Sequence, residues 1–472
     1  MGTGLTTDRH SLNPAPRVLY GGLLALLALS VILHFFGLSR FNMLVFDEVF
    51  YARYGHNYFH HLAVFDVHPP LGKLLIGAGM WIADALGYAG QLTNTLSGAE
   101  RAPWAYRWVD ALFGSMLPLL AAGVAWELTR RWRVALLSGL FVLLTGLFLV
   151  EARYALINIF MVMFGLAGHW LWLRGLSASS VRSRYSHWLL AGLALGACVS
   201  VKWNGLSFLG VIWAMTGLAW IAARYLPTPP RFAHLRWKGL IASFVLVPAL
   251  LYGAQWIPHL RINDISFREA HAQMLRYHQN LKDGPSEHPY CSRWATWPLM
   301  IRPISYLYEA GRDAAGPLPP ITEKVPQSEQ RAVFAVHALI NPLLTWWSCV
   351  ALLGLAAAFV FKPPRAEAPY NTEGRWPLGY LLLAFASGWL PWALVGRCQF
   401  LYLYMPSLAF AMVATAWAVD LLMSHGNTGV RMAGYAVLAS VSASFVFFLP
   451  IYLGLPIQPA SFYTRMWLGS WI

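Results

Sequence analysis

Residues 18–37 read VLYGGLLALLALSVILHFFG, a run without Asp, Glu, Lys or Arg. A helix of about 20 apolar residues is long enough to cross the hydrocarbon core of a bilayer. The whole chain has this character, because 58% of its 472 residues are apolar and only 11% are charged, against about 25% charged in a soluble domain. The composition therefore predicts an all-α polytopic membrane protein and argues against a water-soluble fold.

Eleven apolar segments are predicted to cross the membrane. They lie at 18–37, 104–126, 134–150, 154–174, 187–201, 205–224, 239–256, 335–361, 376–395, 400–423 and 432–452. The first is too long for the apolar part of a cleaved signal peptide, so we expect it to stay in the membrane. The run at 71–88 follows Pro69-Pro70 and is interrupted by glycine, which favours a re-entrant or interfacial helix over a further span.

The basic residues indicate how the chain is oriented. With the N-terminus in the cytoplasm, the inner segments carry sixteen Arg and Lys residues and the short outer connections carry only three. Positive charge near span ends favours the cytoplasmic side, so we expect the N-terminus inside and the C-terminus outside a plasma (inner) membrane. The net charge of +14 is then explained by topology, and nucleic acid is not an expected partner. Two larger outer segments, 38–103 and 257–334, belong to one integral-membrane domain that covers residues 1–472.

Two short stretches of the first outer segment break the apolar pattern. They are Phe46-Asp47-Glu48-Val49 and FDVHPPLGKLL at 65–75. Charged groups are costly beside a bilayer, so they mark a functional site by default. Neighbouring side chains on a helix point about 100° apart, so we expect one carboxylate to act on a substrate and the other to orient a cation or the loop. His68 precedes Pro69, which favours extended backbone and a fixed turn.

Charged residues from distant turns are predicted to reach the same outer face. They are Glu151 and Arg153 after the third span, Lys202 between the fifth and sixth, and Arg397 between the ninth and tenth. Such a set suits a negatively charged lipid headgroup that undergoes chemistry, because Lys and Arg hold a phosphate and an Asp accepts a proton from an attacking hydroxyl. The chain has no GxGxxG or GxxxxGK[ST] nucleotide motif, which favours a donor carried by a membrane lipid.

Several of these groups also have a purely structural interpretation. Arg153 and Lys202 would serve as interface anchors whose long side chains reach back to water. Arg107 and Asp110 are three residues apart in the second span and are predicted to form an ion pair.

Histidines and cysteines raise the question of metals and disulfides. His56 and His60 have the i,i+4 spacing of helical metal ligands, but no Cys accompanies them, so we favour no structural metal. No cofactor is implied, and a divalent metal is kept as an open alternative. The four cysteines are scattered without a CxxC motif. Cys198, Cys349 and Cys398 lie in or beside predicted spans and are interpreted as small apolar residues.

Taken together, these motifs resemble the protein O-mannosyltransferases, integral-membrane glycosyltransferases of the GT-C class that use a polyprenyl-phosphate sugar. The similarity is carried, in order along residues 46–406, by Phe46-Asp47-Glu48, FDVHPPLGKLL, Glu151-Ala152-Arg153-Tyr154, Lys202-Trp203-Asn204-Gly205, HPYCSRWATWPL at 288–299 and the run from Pro391 to Tyr402. The outer segment 257–334 is too short for the large lumenal domain of the eukaryotic members, so the chain resembles a bacterial form.

The resemblance implies a GT-C fold and an inverting transfer of mannose from polyprenyl-phosphate mannose to Ser or Thr of exported polypeptides, at the extracytoplasmic face. On that pattern Asp47 is the expected catalytic base, and Glu48 supports it or positions the acceptor. Substrate binding is assigned to Asp66, His68, Lys73, Arg153, Lys202 and Arg397. Arg153 and Arg397 are assigned to the carrier phosphate. The expected partners are the lipid donor, the polypeptide acceptor and membrane lipids, and the oligomeric state is not predicted.

Two other functions stay open at this level. A transferase of the same architecture could act on a lipid, as when aminoarabinose is added to lipid A. A transporter could use the carboxylates to bind a cation. Transporters usually show inverted repeats and broken helices near the midplane of the membrane, and no repeat is visible in this sequence.

Overall fold

The computed structural model of the chain describes residues 16–88, 90, 93–225, 230–281, 288–314, 325–361 and 375–472. Most of these residues are helical, which confirms the predicted class of helical membrane protein. The helices are α1 (Pro16–Phe35), α2 (Glu48–Phe59), α3 (Leu71–Ala85), α4 (Pro103–Thr129), α5 (Trp132–Leu143), α6 (Gly146–Glu151), α7 (Asn158–Leu176), α8 (Val181–Val201), α9 (Leu206–Ala222), α10 (Trp237–Ile241), α11 (Val247–Gln255), α12 (Ile257–Asn263), α13 (Phe267–Asn280), α14 (Pro342–Phe361), α15 (Trp376–Trp389), α16 (Met405–Met423), α17 (Thr428–Leu453) and α18 (Pro459–Tyr463).

Within these ranges, nine helices are long and apolar enough to cross a membrane. They match nine of the eleven predicted spans. The other two are 134–150, which is divided between α5 and α6, and 187–201, which belongs to α8 and follows a polar first turn. The helix at the ambiguous run, α3, has 15 residues, fewer than the roughly 20 that a span needs. Residues 1–15 and the inner-face residues Lys362 and Arg365 lie outside the described residues.

One predicted boundary is wrong. Residues 335–338 belong to a strand, and α14 begins only at Pro342. The run before Pro342 is buried and, except for His337 and Asn341, apolar, and a short buried strand has the same apolar pattern as a buried helical turn. Proline at the first helical position suits the start of a helix, because that position needs no backbone N–H donor.

The centre of the bundle is formed by α4, α5, α7 and α16. Nearly every residue of α16 is buried, and it packs against α5, α14, α15 and α17. By contrast, α1 lies at the periphery against α4 and α5, and its Tyr20 and Leu24 are 67% and 68% exposed. Exposed apolar side chains on an outer helix suit contact with lipid, because lipid tails are as apolar as they are.

Helices α2 and α3 cross at a pair of glycines in the first outer segment. A Cβ on Gly77 would lie 2.4 Å from the carbonyl oxygen of Gly55, and a Cβ on Gly55 would lie 2.9 Å from the nitrogen of Gly77. Only glycine lets two backbones approach this closely. Because α2 begins directly after Asp47 and α3 follows the 65–70 turn, this crossing fixes the two polar stretches relative to each other.

Two small antiparallel sheets, which the all-α prediction omitted, lie outside the helical bundle. The first pairs β1 (Asn94–Leu96) with β2 (Ala99–Arg101). The second has the order β3 (Ile304–Gly311), β4 (Ala332–Ala338) and β5 (Pro456–Ile457). The register of β3 against β4 shifts between Ser305 and Leu307, so Tyr306 is the extra residue of a bulge. Such bulges redirect a side chain, and Tyr306 reaches into the buried polar network described below.

Candidate active site

A large cavity opens beside the N-terminus of α2. Its volume is about 1260 Å³, and its walls come from α2, the 65–68 stretch, the turn between α8 and α9, α13 and residues 387–403. Five of the eight predicted site residues line it, namely Asp47, Asp66, His68, Lys202 and Arg397. The cavity therefore brings together carboxylates and cations from turns that are far apart in the sequence.

Asp47 is held at the cavity by an unusual backbone conformation. It is the N-cap of α2, and the preceding Phe46 has φ of +52°, a region that bulky side chains rarely adopt. The Phe46 ring stacks on the Tyr306 ring with centroids 4.1 Å apart and an angle of 10° between the planes. Burial raises the pKa of Asp47 to about 6, against the opposing effect of the Lys202 cation. Asp47 is thus a carboxylate whose pKa lies close to neutral.

Glu48 points away from the cavity into a buried ion pair. Its Oε1 accepts from Arg107 Nε at 2.8 Å and its Oε2 accepts from Arg107 Nη2 at 2.7 Å. The same carboxylate accepts the backbone N–H groups of Val45 at 2.8 Å and Ala155 at 2.9 Å. Both charged side chains are fully buried. Glu48 therefore ties the first outer segment to α4 and to the turn before α7.

The predicted ion pair between Arg107 and Asp110 is wrong. Arg107 turns toward the first outer segment, where it pairs with Glu48 and also donates to three backbone carbonyls, those of Leu38, Phe41 and Met43. Asp110 instead accepts the Leu156 backbone N–H at 3.1 Å. The guanidinium presents five donors in a fork, and one neighbouring carboxylate on the same helix could not satisfy them.

Lys73 and Asp66 stabilise the turn that leads into α3. The fully buried Lys73 ammonium donates to Asp66 and, at 2.6 Å, to the His68 carbonyl. The other oxygen of Asp66 accepts the Val67 N–H at 2.7 Å. The expected fixed turn at His68 is present, and Lys73 does not line the cavity. The His68 ring does line it, and burial followed by the Lys202 cation holds the pKa of that imidazole well below its usual value.

Arg153 also lies away from the cavity lining. Its Nη1 donates to the carbonyls of Leu33 at 2.8 Å and His34 at 3.1 Å, which are at the C-terminal end of α1. The last carbonyls of a helix have no partner within that helix, so Arg153 caps α1. This geometry does not place Arg153 within reach of a phosphate in the cavity.

Lys202 is a buried cation whose charge acts on the Asp47 carboxylate. It has an extended backbone between α8 and the next helical turn, and its ammonium donates to Asn158 Oδ1 at 3.0 Å and lies 4.8 Å from the centre of the Tyr402 ring. Asn158 in turn donates to Glu151 at 3.2 Å, and Tyr306 donates to the other oxygen of that carboxylate. Burial lowers the pKa of Lys202 to about 8. The lysine is therefore anchored on one side and faces the cavity on the other.

Arg397 lies beside a disulfide that the sequence analysis missed. Cys291 and Cys398 are bonded, with Cα atoms 5.3 Å apart, so the interpretation of Cys398 as a small apolar residue is wrong. The two cysteines are 107 residues apart, and no spacing motif announces the pair. Cys198 and Cys349 are free.

His278 is a cavity residue for which the sequence analysis made no prediction. Its Nε2 donates to the Val67 carbonyl at 3.1 Å, and its ring lies 6.1 Å from that of Trp203 and 5.9 Å from that of His68. Burial and the nearby Arg397 cation lower its pKa, which favours the neutral imidazole. The signal was present in the amphipathic pattern of α13, whose apolar face includes the buried Ala270 and Met274.

The histidines considered as metal ligands lie at the C-terminal end of α2, with His56 in its last turn and His60 as its C-cap, and neither lines the cavity. The rings of His56 and His60 are 4.1 Å apart, and the Arg101 guanidinium lies 3.3 Å from His60 Nε2. Across the described ranges, no group of three or more His, Cys, Asp or Glu side chains is arranged to hold a metal ion.

Comparisons with known proteins agree with this architecture. The family model for dolichyl-phosphate-mannose-protein mannosyltransferase matches residues 24–262, and the model for the C-terminal four-helix membrane region of protein-O-mannosyltransferase matches residues 265–471. A polyprenol-phosphate-mannose–protein mannosyltransferase from Mycolicibacterium smegmatis is 26% identical, covering 90% of this chain and 87% of the relative.

Solved structures show the same fold at lower sequence identity. The Saccharomyces cerevisiae protein O-mannosyltransferase Pmt1-Pmt2 complex, bound to its sugar donor, superposes with a TM-score of 0.76 at 16% identity, covering 96% of this chain and 93% of that one. ArnT from Cupriavidus metallidurans superposes with a TM-score of 0.56 at 14% identity, covering 93% of this chain and 77% of that one.

Proposed function

The chain belongs to the dolichyl-phosphate-mannose–protein mannosyltransferase family, and we propose that it transfers mannose from polyprenyl-phosphate mannose to Ser or Thr hydroxyls of exported polypeptides. It is a membrane glycosyltransferase with the GT-C fold. The donor and the protein acceptor are those in the names of its bacterial relatives. The predicted lipid-acceptor and transporter functions are less well supported, because the two family models together cover residues 24–262 and 265–471.

One observation carries the proposed mechanism: Asp47 shares the cavity with Lys202 and Arg397, whereas Glu48 is locked to Arg107. A phosphate needs cations that are free to bind it, and a general base needs a carboxylate oxygen that is free to accept a proton. Lys202 and Arg397 meet the first need and Asp47 meets the second. Lys73 and Arg153 have structural partners instead, so we assign them to positioning the surrounding backbone.

The reaction is a single displacement at the anomeric carbon of mannose. The acceptor hydroxyl oxygen forms the new bond to this carbon while Asp47 takes the hydroxyl proton. The bond from the carbon to the phosphate oxygen breaks, and both of its electrons leave with the polyprenyl phosphate. Lys202 and Arg397 stabilise the negative charge that develops on this phosphate. Attack opposite the leaving group inverts the anomeric configuration.

A groove suited to the carrier chain runs from the cavity between α9 and α15. The cavity wall includes Leu206, Ser207 and Gly210 from α9 and Ser387 and Gly388 from α15. Both helices are among those apolar enough to cross a membrane, and a Cβ on Gly210 would meet nothing within 4 Å. Small residues leave room for an isoprenoid chain between two lipid-facing helices.

The disulfide supports an extracytoplasmic site. Cys398 lines the cavity and is bonded to Cys291. Disulfides persist in oxidising compartments and are rare in the cytosol. This agrees with the orientation inferred from the basic residues, which puts the cavity on the outer side of the plasma membrane.

The test is a transfer assay with radiolabelled polyprenyl-phosphate mannose, a Ser/Thr peptide and purified protein in lipid nanodiscs. We expect label in the peptide that β-elimination releases as free mannose, and NMR of the intact glycopeptide should show an anomeric configuration opposite to that of the donor. Label in a lipid acceptor such as lipid A would instead support the lipid transferase. Absence of any covalent transfer, from protein that still binds polyprenyl phosphate, would contradict both enzyme functions.

A further inference from the structure

We propose that the Cys291–Cys398 disulfide is a positioning cross-link that holds Arg397 in the cavity, so that the lipid donor binds tightly only to the oxidised protein. The inference rests on the proposed function insofar as it takes the phosphate of a polyprenyl carrier as the ligand of Arg397. It assigns a positioning role to two residues that the proposed mechanism does not use.

The cross-link forms part of the cavity wall. Cys398 lines the cavity, and so does Arg397, the residue before it. In the segment that carries Cys291, His288 lines the cavity three residues before the cysteine. The disulfide therefore joins two cavity-lining segments at the point where each contributes a basic side chain.

Arg397 has little else to hold it. Within the described part of the chain, its one side-chain hydrogen bond goes to the Cys398 carbonyl at 3.4 Å, and it forms no ion pair. Arg107, by comparison, is held by the Glu48 carboxylate and three backbone carbonyls. The position of the Arg397 guanidinium therefore depends on the backbone that carries it.

The backbone that leads to Arg397 is supported up to Val395 by the Gln399 side-chain amide, which donates to the carbonyls of Trp392 at 3.0 Å and Val395 at 2.6 Å. The helical turn before it ends at Leu394, and a Cβ on Gly396 would meet nothing within 4 Å. Glycine also adds conformational freedom to the link. After Arg397, the next backbone hydrogen bond to another segment is at Gln399, whose carbonyl accepts the Ser292 N–H at 2.8 Å. This isolated bridge lies directly beside the disulfide.

The partner segment is anchored to the helical bundle. Ser292 accepts the Trp297 indole N–H at 2.8 Å, and the Trp294 carbonyl accepts the Trp389 indole N–H at 2.8 Å. Trp297 is almost fully buried. The disulfide thus transfers the rigidity of this anchored segment to the link that carries Arg397.

Reduction gives a direct way to remove the cross-link. A water-soluble phosphine and one water molecule supply the two electrons and two protons that convert the disulfide into two thiols, and the phosphine leaves as its oxide. The backbone around Arg397 then loses its covalent tie, while every residue that contacts the substrate keeps its identity.

The experiment measures the affinity for polyprenyl phosphate and, separately, the kinetics of mannose transfer, with full-length protein in nanodiscs. For the double variant Cys291→Ser/Cys398→Ser, we expect donor affinity to fall about tenfold, comparable with the loss of one hydrogen bond to a charged group. The KM for the peptide should not change. Phosphine should have the same effect on the wild type and none on the double variant.

Two comparisons separate positioning from general stability. A Cys198→Ser/Cys349→Ser variant, which keeps the disulfide, should respond to phosphine as the wild type does. In an Arg397→Gln background, removing the disulfide should cause no further loss of affinity, because residues that act as a unit are not additive. A merely structural cross-link would lower affinity to the same degree in both backgrounds.

The inference is overturned if the fully reduced wild type or the double variant binds polyprenyl phosphate as tightly as the oxidised protein, or if the losses from Arg397→Gln and from the disulfide add. If the double variant does not fold, the reduction series on folded wild type decides the question by the same criterion. Wild-type protein that binds polyprenyl phosphate but transfers no mannose would refute the proposed function while leaving the binding comparison intact.

Discussion

Asp47 and Glu48 are neighbours in the sequence, yet they belong to two regions that use charge in opposite ways. On the cavity wall, Asp47, Lys202 and Arg397 face the cavity. The buried knot, consisting of Glu48 and Arg107 with their backbone partners, satisfies every charge within the protein. A buried charged residue therefore stabilises the structure when protein groups are its partners. It is available for chemistry when its partner is to be supplied by the substrate.

The largest effect on stability is expected from breaking the buried knot, that is, the ion pair between Glu48 and Arg107. Arg107→Met leaves the Glu48 carboxylate buried without its cation, which typically costs about 3–5 kcal/mol. We expect lost or unfolded protein, measured as membrane yield and as melting temperature in detergent. Arg276→Met is the matched control, because its ion pair with Glu269 is exposed and such pairs contribute roughly 0–1 kcal/mol. Equal stability of the two variants would contradict the structural role of the knot.

A smaller effect is expected from removing one cation of the cavity wall. Lys202→Ala should weaken donor binding by about 10- to 100-fold, since a hydrogen bond to a charged group is worth about 1.5–3 kcal/mol, and should leave the melting temperature close to that of the wild type. Binding of polyprenyl phosphate measures this. Lys238→Ala changes a lysine that does not line the cavity, so it serves as the control and should bind normally. Unchanged affinity in Lys202→Ala would remove this residue from the phosphate site.

The cavity wall also predicts a pH dependence of kcat/KM. Below the Asp47 pKa of about 6 the base becomes protonated, so activity should fall about tenfold per pH unit. Above the Lys202 pKa of about 8 the cation is lost and activity should fall again. In Lys202→Arg the alkaline limb should disappear while the acidic limb stays, because arginine keeps its charge. A flat profile between pH 5 and about 7 would contradict the assignment of Asp47 as the base.

The smallest effect concerns the groove for the carrier. Gly210→Phe should raise the KM for a long-chain polyprenyl donor several-fold and change the KM for a short-chain analogue much less. Gly217→Phe is a matched control on the same helix, since a Cβ at either position meets nothing within 4 Å but Gly217 does not line the cavity. If the two variants behave alike, the chain does not follow this groove.

The sequence was sufficient to predict the helical membrane class, the family and five residues that meet in one cavity. Span length, charge bias and short motifs are properties of local sequence, so they can be recognised without knowing how the helices pack. The roles of Glu48 and Lys73 were not predictable in this way. Only the fold shows that Glu48 forms an ion pair with Arg107 and that Lys73 forms one with Asp66. Glu48 and Arg107 are 59 residues apart in the chain, and the sequence alone gives no sign of such long-range pairing.

The disulfide and the three-stranded sheet of β3, β4 and β5 could not be predicted from sequence patterns either. Cys291 and Cys398 are separated by 107 residues, and their pairing depends on how the two segments that carry them come together. The strand β4 is apolar except for His337 and buried along its length, so its pattern does not distinguish a strand from the start of a span. His278 was accessible from the amphipathic pattern of α13, but that pattern does not show which side faces the cavity.

Asp47 is proposed to remove the acceptor proton, and this role is tested by the single-turnover rate of Asp47→Asn loaded with polyprenyl-phosphate mannose. The predicted rate is about 10²- to 10⁴-fold below that of the wild type, the usual contribution of a general base. Donor affinity should be equal or tighter, because a negative charge near the phosphate is lost. Glu309→Gln, a carboxylate of β3 that does not line the cavity, should keep the wild-type rate. A near wild-type rate in Asp47→Asn, or a loss of activity explained entirely by lost donor binding, would contradict the account.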